Sequence, residues 1–146
     1  MIDSTSLAAN EDISRQITAF VKPQARTLET GCGITTVAFA MCGCQHLCVT
    51  PSADEAERVT AFCREHGIDP GSIKFAIGSS AESLPALVTA GPLDMVFIDG
   101  AHRFPYPVID FHYTECRLRV GGFMVVDDVR IPSVRVLYEF LCTESE

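Results

Sequence analysis

Arg26-Thr27-Leu28-Glu29-Thr30-Gly31-Cys32-Gly33 is the stretch that decides the fold. Its first five residues read as a short strand with a polar end. Two glycines follow, one residue apart. Glycine adopts backbone angles that other residues avoid, and it lacks the Cβ that would hold a ligand off. Ile34 to Met41 then reads as a helix. A strand, a tight glycine turn and a helix in succession open a parallel α/β unit.

The alternation continues downstream. His46 to Thr50 is a second strand, and Ala53 to His66 an amphipathic helix. Its Ala56, Val59 and Phe62 face inward, while Asp54, Glu55, Glu57, Arg58 and Arg64 face mostly outward. Ser52 is its N-cap, Glu55 is placed to complete a capping box, and Gly67 ends it. Ile73 to Ile77 is a third strand, followed by a helix from Ala81 to Thr89. The nearly unbroken apolar run Met95-Val96-Phe97-Ile98 suits a central strand buried on both faces. Val108 to Leu118 is the next helix. Gly121-Gly122 turns the chain into a fifth strand, Phe123 to Val126, and Ser133 to Leu141 opens a last helix. Upstream, Ile13, Ile17, Phe20 and Val21 give helical spacing to Glu11–Val21, and Pro23 ends that helix. Five strands separated by helices predict a parallel sheet covered on both faces. Right-handed crossovers make it a Rossmann-like, doubly wound α/β fold, expected to form one domain over residues 1–146.

Charge and cysteine content narrow the function. The formal net charge is -8, with no basic run, which argues against a nucleic-acid partner. No apolar run is long enough to span a bilayer. Met1 to Ser6 lacks the basic start of a signal peptide, so a cytoplasmic location and a small-molecule partner are expected. Seven cysteines without a secretion signal read as reduced thiols. Cys42, Cys44 and Cys48, with His46 among them, match no usual zinc spacing. Cys48 lies inside a strand, where a thiol packs as a small hydrophobe. His46, His66 and His112 read as ordinary structural histidines.

In a doubly wound sheet, ligands bind at the carboxyl ends of the strands. The segments to read closely are therefore Glu29 to Gly33, Thr50 to Ser52, Gly78 to Ser80, Asp99 to His102, and Asp127-Asp128. A dinucleotide site would want a third glycine or alanine where Thr36 stands. Glu29, two places before Gly31, would repel a pyrophosphate. It suits a ligand carrying an amine and a sulfonium.

Leu28 to Gly33 resembles the first motif of class I S-adenosylmethionine (SAM)-dependent methyltransferases. Asp94 to His102 resembles their fourth motif, and Leu118 to Asp128 their fifth-strand segment, in the family's order and separations. The resemblance covers roughly residues 11–142. It implies that Gly31, Cys32 and Gly33 lie under the methionine and ribose of SAM, with Glu29 facing the cofactor's amino end. Two positions depart from the family. Thr50 replaces the usual ribose-binding acid, leaving Asp54 to reach in from the following helix. Gly78-Ser79-Ser80 stands where Gly-Asp is common, and its serines either meet adenine or cap the next helix.

Asp99 follows the fourth strand, and Asp127 and Asp128 follow the fifth. Three converging carboxylates call for a positive partner, such as Mg2+ with oxygen ligands. The pattern resembles metal-dependent O-methyltransferases of the catechol and caffeoyl-CoA type and their bacterial small-molecule relatives. That resemblance implies Asp99, Asp127 and Asp128 as metal ligands and His102 as general base, with Asp99 beside it in catalysis. Phe104 and Tyr106 either wall the acceptor pocket or pack the next helix. The expected activity is O-methylation of a small hydroxylated acceptor. The alternatives are a SAM-binding module without catalysis and a nucleotide-binding Rossmann-like fragment. The family usually adds two strands after the fifth helix, so the chain is expected to be cut short after its fifth strand and following helix. That would leave the fifth strand as an open edge and favour a homo-oligomer through it.

Overall fold

A computed structural model of the chain describes residues 14–89 and 91–144. Five strands, β1 (Arg26–Thr30), β2 (Gln45–Thr50), β3 (Ile73–Ile77), β4 (Leu93–Ile98) and β5 (Leu118–Val126), form one sheet in the order β3-β2-β1-β4-β5. Every pairing is parallel. Helices fill the connections: α1 (residues 14–18), α2 (Ile34–Met41), α3 (Ala53–Glu65), α4 (Ser80–Ala86), α5 (Tyr106–Glu115) and α6 (Pro132–Thr143). Strand order reverses between β1 and β4, so the carboxyl ends of those strands flank the expected crevice. This is the Rossmann-like, doubly wound α/β fold that the sequence predicts.

The central strands are buried on both faces, which explains their continuous apolar runs. Leu28, Val96 and Ile98 pack beneath α4, α5 and α6 with Leu84 and Leu137. On the other face, Phe39 and Phe97 join Ile17 and Val21 of the N-terminal segment. The start of the upstream helix, residues 11–13, lies outside the described residues. Cys42 and Cys44 belong to the Phe39 cluster, whereas Cys48 packs in another, with Val37 and Val59. These cysteines are core thiols, and burial pushes Cys44 up to about 12.

Several boundaries differ from the expectation, and the fifth helix runs Tyr106–Glu115 rather than Val108 to Leu118, where Leu118 already belongs to β5. The fourth helix stops at Ala86, with Leu87 extended and Pro85 inside its last turn, where the Ala81 carbonyl loses its N–H partner. The fifth strand begins at Leu118, so Gly121-Gly122 lies inside it. The register slips there: Leu93 pairs with Leu118, yet Met95 pairs with Phe123. Gly121 has φ 75°, and a Cβ on Gly122 would meet the carbonyl oxygens of Arg119 and Asp94 at 3.0 Å. The double glycine is a bulge pressed against β4. Arg119 Nε donates to Asp94 Oδ1 at 2.6 Å and fastens the bulge. Among the described residues, β5 pairs only with β4. No helix among them is long and apolar enough to cross a membrane.

Candidate functional site

A cleft of about 500 Å³ opens at the carboxyl ends of β1, β2, β3 and β4. Its floor and walls come from the segments singled out above: Thr30 to Cys32, Val49 to Pro51, Ser79-Ser80 and Asp99 to Ala101. Glu55, Arg103 and Tyr106 complete it.

The glycine turn is fixed by sterics. Gly31 has φ 97°, and a Cβ there would lie 2.2 Å from the Asp99 carbonyl oxygen. The first loop is thus seated on the end of β4, and only glycine permits the contact. A Cβ on Gly33 would meet nothing within 4 Å, so that side of the loop is open.

Glu29 is placed differently from the expectation. It is fully buried and absent from the cleft wall. Its Oε2 accepts from Thr35 Oγ1 at 2.8 Å, and its Oε1 accepts from Thr36 Oγ1. His46 Nε2 stands 3.1 Å from Oε1, with both side chains fully buried. Thr27 Oγ1 lies 2.8 Å from His46 Nδ1, and Phe39 stacks on the imidazole. Thr36 Oγ1 also accepts from the Gly33 backbone N–H at 3.0 Å. A buried polar chain therefore runs from β2 through Glu29 to the glycine loop. Facing inward, the carboxylate accepts from two hydroxyls, which offset the cost of burying its charge, while the nearby His46 Nε2 completes no hydrogen bond.

Thr50 is buried under the cleft, and Ser52 caps α3 by accepting from the Glu55 N–H at 3.2 Å. The Glu55 carboxylate does not close the capping box. Its Oε2 accepts from Thr50 Oγ1 at 3.3 Å, at the cleft wall. Thus Glu55, not Asp54, brings a carboxylate to the end of β2. Ser79 and Ser80 both line the cleft, and Ser79 Oγ donates to Glu82 Oε2 at 2.8 Å. It makes no side-chain cap to the α4 backbone. Tyr106 joins the wall with the Arg103 guanidinium 5.4 Å from its ring centre, whereas Phe104 is largely exposed.

Next to the cleft lies an acidic corner. Asp99, His102 and Asp128 each offer one ligand atom, all within 4.8 Å of one another. His102 Nε2 stands 3.2 Å from Asp128 Oδ2 and 3.6 Å from Asp99 Oδ1. This nitrogen is buried but completes no hydrogen bond. Asp127 stands beside the group. Its Oδ1 accepts from the Asp128 N–H at 2.7 Å, supporting the left-handed turn at Asp128, φ 52°. Burial, then the charge of Asp127, push the Asp99 carboxyl up to about 6, while His102 pulls the other way. The donor set of two carboxylates and one imidazole fits a divalent cation.

Asp110 on α5 is a residue that the sequence did not reveal. It is fully buried, and neither carboxyl oxygen completes a hydrogen bond. A Cβ on Gly100 would lie 2.9 Å from its Oδ2 and 3.0 Å from Thr30 Oγ1, which is also unpaired. Burial pushes this carboxyl up, against the pull of the nearby Ser80 and Thr30 hydroxyls. Only the folded chain brings it beneath the cleft residues Thr30, Ser80 and Gly100.

Residues 28–129 match the family described as Methyltransferase domain. The chain belongs to this methyltransferase family. Comparison by sequence with curated proteins returns no match. Among solved structures, the chain is similar to cofactor-bound Rv0187 from MTB, with TM-score 0.73 and 21% identity, covering 98% of this chain and 80% of that one. It is also similar to a candidate O-methyltransferase from Klebsiella pneumoniae, with TM-score 0.75 and 20% identity, over 94% and 69% of the two chains. A SAM-dependent methyltransferase from Geobacter sulfurreducens, solved with S-adenosyl-L-homocysteine, aligns with TM-score 0.59 and 16% identity, over 79% and 47%. At these identities the likeness is one of fold.

Proposed function

We propose that this methyltransferase uses SAM to methylate a hydroxyl oxygen on a small acceptor, with His102 as general base. The observation that carries the proposal is the pairing of an open cleft at the glycine loop with a histidine held between two carboxylates at its rim. Methyl transfer needs a cofactor cradle and a proton acceptor side by side.

The residues fit SAM. The turn at Gly31 sets the loop, the Glu55 carboxylate with Thr50 can accept from ribose hydroxyls, and Gly33 is open but not part of the cleft wall. Cys32, Ser79 and Ser80 line the same cleft. When bound, SAM supplies an electrophilic methyl carbon. The chain's part is to orient the acceptor oxygen in line and remove its proton. His102 Nε2 takes that proton, and Asp99 and Asp128 stabilise the resulting imidazolium. Tyr106 and Arg103 close the acceptor side.

Mg2+ belongs to the same proposal, with Asp99 and Asp128 as ligands, Asp127 at its margin and His102 left uncoordinated as the base. When bound, it lowers the pKa of an acceptor hydroxyl. A second reading, cofactor binding without transfer, draws on the inward turn of Glu29 and on Thr50 in place of a strand-end acid. Calorimetric titration with S-adenosylhomocysteine, with and without Mg2+, comes first. A panel of catechols, phenols and sugars then follows, on wild type and Asp99→Asn. Binding plus transfer that falls in Asp99→Asn supports the proposal. Binding without transfer to any acceptor favours the second reading. A folded chain that binds no S-adenosylhomocysteine sinks both.

A further inference from the structure

Two thiols meet at the glycine loop, and the proposed methyl transfer gives neither a chemical step. Cys32 follows the turn at Gly31 and is part of the cleft wall, half-buried. Cys48 lies on β2, fully buried, where the register sets it beside Glu29. The left-handed turn at Gly31 folds the loop back, so Cys32 packs against the cluster that holds Cys48. The Cys48 thiol donates to the Gly31 carbonyl at 3.1 Å, and Thr36 Oγ1 stands 3.9 Å from its sulfur.

The two sulfurs have unequal surroundings. The neighbouring Cys48 holds the Cys32 thiol below its ordinary range, with further help from Thr36 and against partial burial. The neighbouring Cys32, then burial and the nearby Glu29 charge, push Cys48 up. Cys32 is the sulfur that the cleft exposes, and Cys48 lies behind it, sealed from solvent. This is the division between an attacking and a resolving cysteine. The other buried thiols, Cys42, Cys44 and Cys63, are all pushed up by burial. Cys116 and Cys142 are exposed.

We propose that Cys32 and Cys48 form an oxidation site for peroxide, closing to a disulfide that ties the glycine loop to β2 and weakens cofactor binding. The Cys32 thiolate attacks the peroxide O–O bond. An S–O bond forms, the O–O bond breaks, and the departing hydroxide takes a proton and leaves as water. The Cys48 sulfur then attacks the sulfenic sulfur. The S–S bond forms, the S–O bond breaks, and the leaving hydroxide carries off the Cys48 proton as a second water. Two thiols lose two electrons, and one hydrogen peroxide becomes two waters. Closure draws Cys32 off the cleft wall and strains a turn already fixed against Asp99.

The loss of cofactor affinity rests on the proposed SAM reading, but formation of the bond does not. The test is hydrogen peroxide titration of the full chain, with peptide mapping after alkylation and S-adenosylhomocysteine affinity before and after. The expected result is a Cys32–Cys48 disulfide forming before any change at Cys116 or Cys142. Affinity should fall at least about tenfold and return with dithiothreitol. In Cys48→Ala, which keeps a small apolar side chain in the strand, dimedone should trap a sulfenic acid on Cys32. Oxidation of Cys116 and Cys142 ahead of Cys32 would overturn the site. So would passage of wild-type Cys32 to sulfinic acid without a disulfide. A mapped disulfide with unchanged affinity would overturn its effect on the cofactor. Reduced protein that binds no S-adenosylhomocysteine would count against the SAM reading, while the peptide map alone would decide the disulfide.

Discussion

The first loop and the acidic corner are neighbours across the same glycine contact, yet they treat charge in opposite ways. Behind the loop, Glu29 is sealed from water and accepts from Thr35 and Thr36, with His46 Nε2 3.1 Å away but completing no hydrogen bond. At the corner, Asp99, Asp128 and His102 are only partly buried, and His102 Nε2 completes no hydrogen bond. A buried carboxylate held by two hydroxyls is fixed in place. A cluster of like charges around a poorly paired base leaves binding capacity for something else. Glu29 is thus scaffold for the cofactor loop, and the corner is where chemistry is expected.

Substitutions should separate these two roles. His46→Ala removes the partner of a fully buried carboxylate and the ring that Phe39 stacks on. It should lower stability by about 3–5 kcal/mol in urea unfolding, the usual cost of breaking a buried pair. Glu29→Gln should cost less, because hydrogen-bonding atoms remain. Equal stability in His46→Ala and wild type would dissolve the comparison. At the corner, His102→Gln should leave unfolding within about 0.5 kcal/mol of wild type. Its turnover on any acceptor found should fall about 10²- to 10⁴-fold. Unchanged turnover would remove His102 as base. Glu55→Gln lies between the two regions. It should weaken S-adenosylhomocysteine binding about tenfold, as loss of one charge-assisted contact does. Turnover at saturating cofactor should hold.

The fold was legible because each central strand is buried on both faces and shows as a run of apolar residues, as Met95 to Ile98 does. The bulge in β5 was not, because Gly121-Gly122 is a bulge only relative to Asp94 on the neighbouring strand. In the candidate site, what was legible was local. His102 lies three residues from Asp99, and the structure brings them within 3.6 Å. What was hidden depends on contacts between elements. Nothing near His46 in sequence announces Glu29, and a charged residue in the first turn of a helix, such as Glu55, reads as solvent-facing. The nearest signal for Glu55 was Thr50, a hydroxyl at a strand end five residues before it. Asp110 lies in the middle of a helix, and only the fold brings it under Gly100.

Asp110 and Asp99 give the subtlest comparison, because both carboxyls are raised but for different reasons. Burial dominates both, yet Asp99 is also raised by the charges of Asp127 and Asp128. A carboxyl raised on folding keeps its proton in the native state after the unfolded chain has lost its own. Unfolding then releases protons, so stability is greatest below the unfolded value of about 4. It declines as pH rises through the folded value, about 6 for Asp99. Asp110→Asn and Asp99→Asn should each flatten this decline, measured as unfolding free energy between pH 4 and 7. Salt distinguishes them. Mobile ions screen the part of the Asp99 shift that comes from neighbouring charge and leave a shift caused by burial. The slope that Asp99→Asn removes should therefore shrink in high salt, whereas the slope that Asp110→Asn removes should persist. If both shrink alike, Asp110 is reached by solvent and does not belong to the sealed interior. If neither variant alters the slope, both carboxyls titrate as they do in the unfolded chain. The acidic corner would then lack the strain that marks it as a binding site.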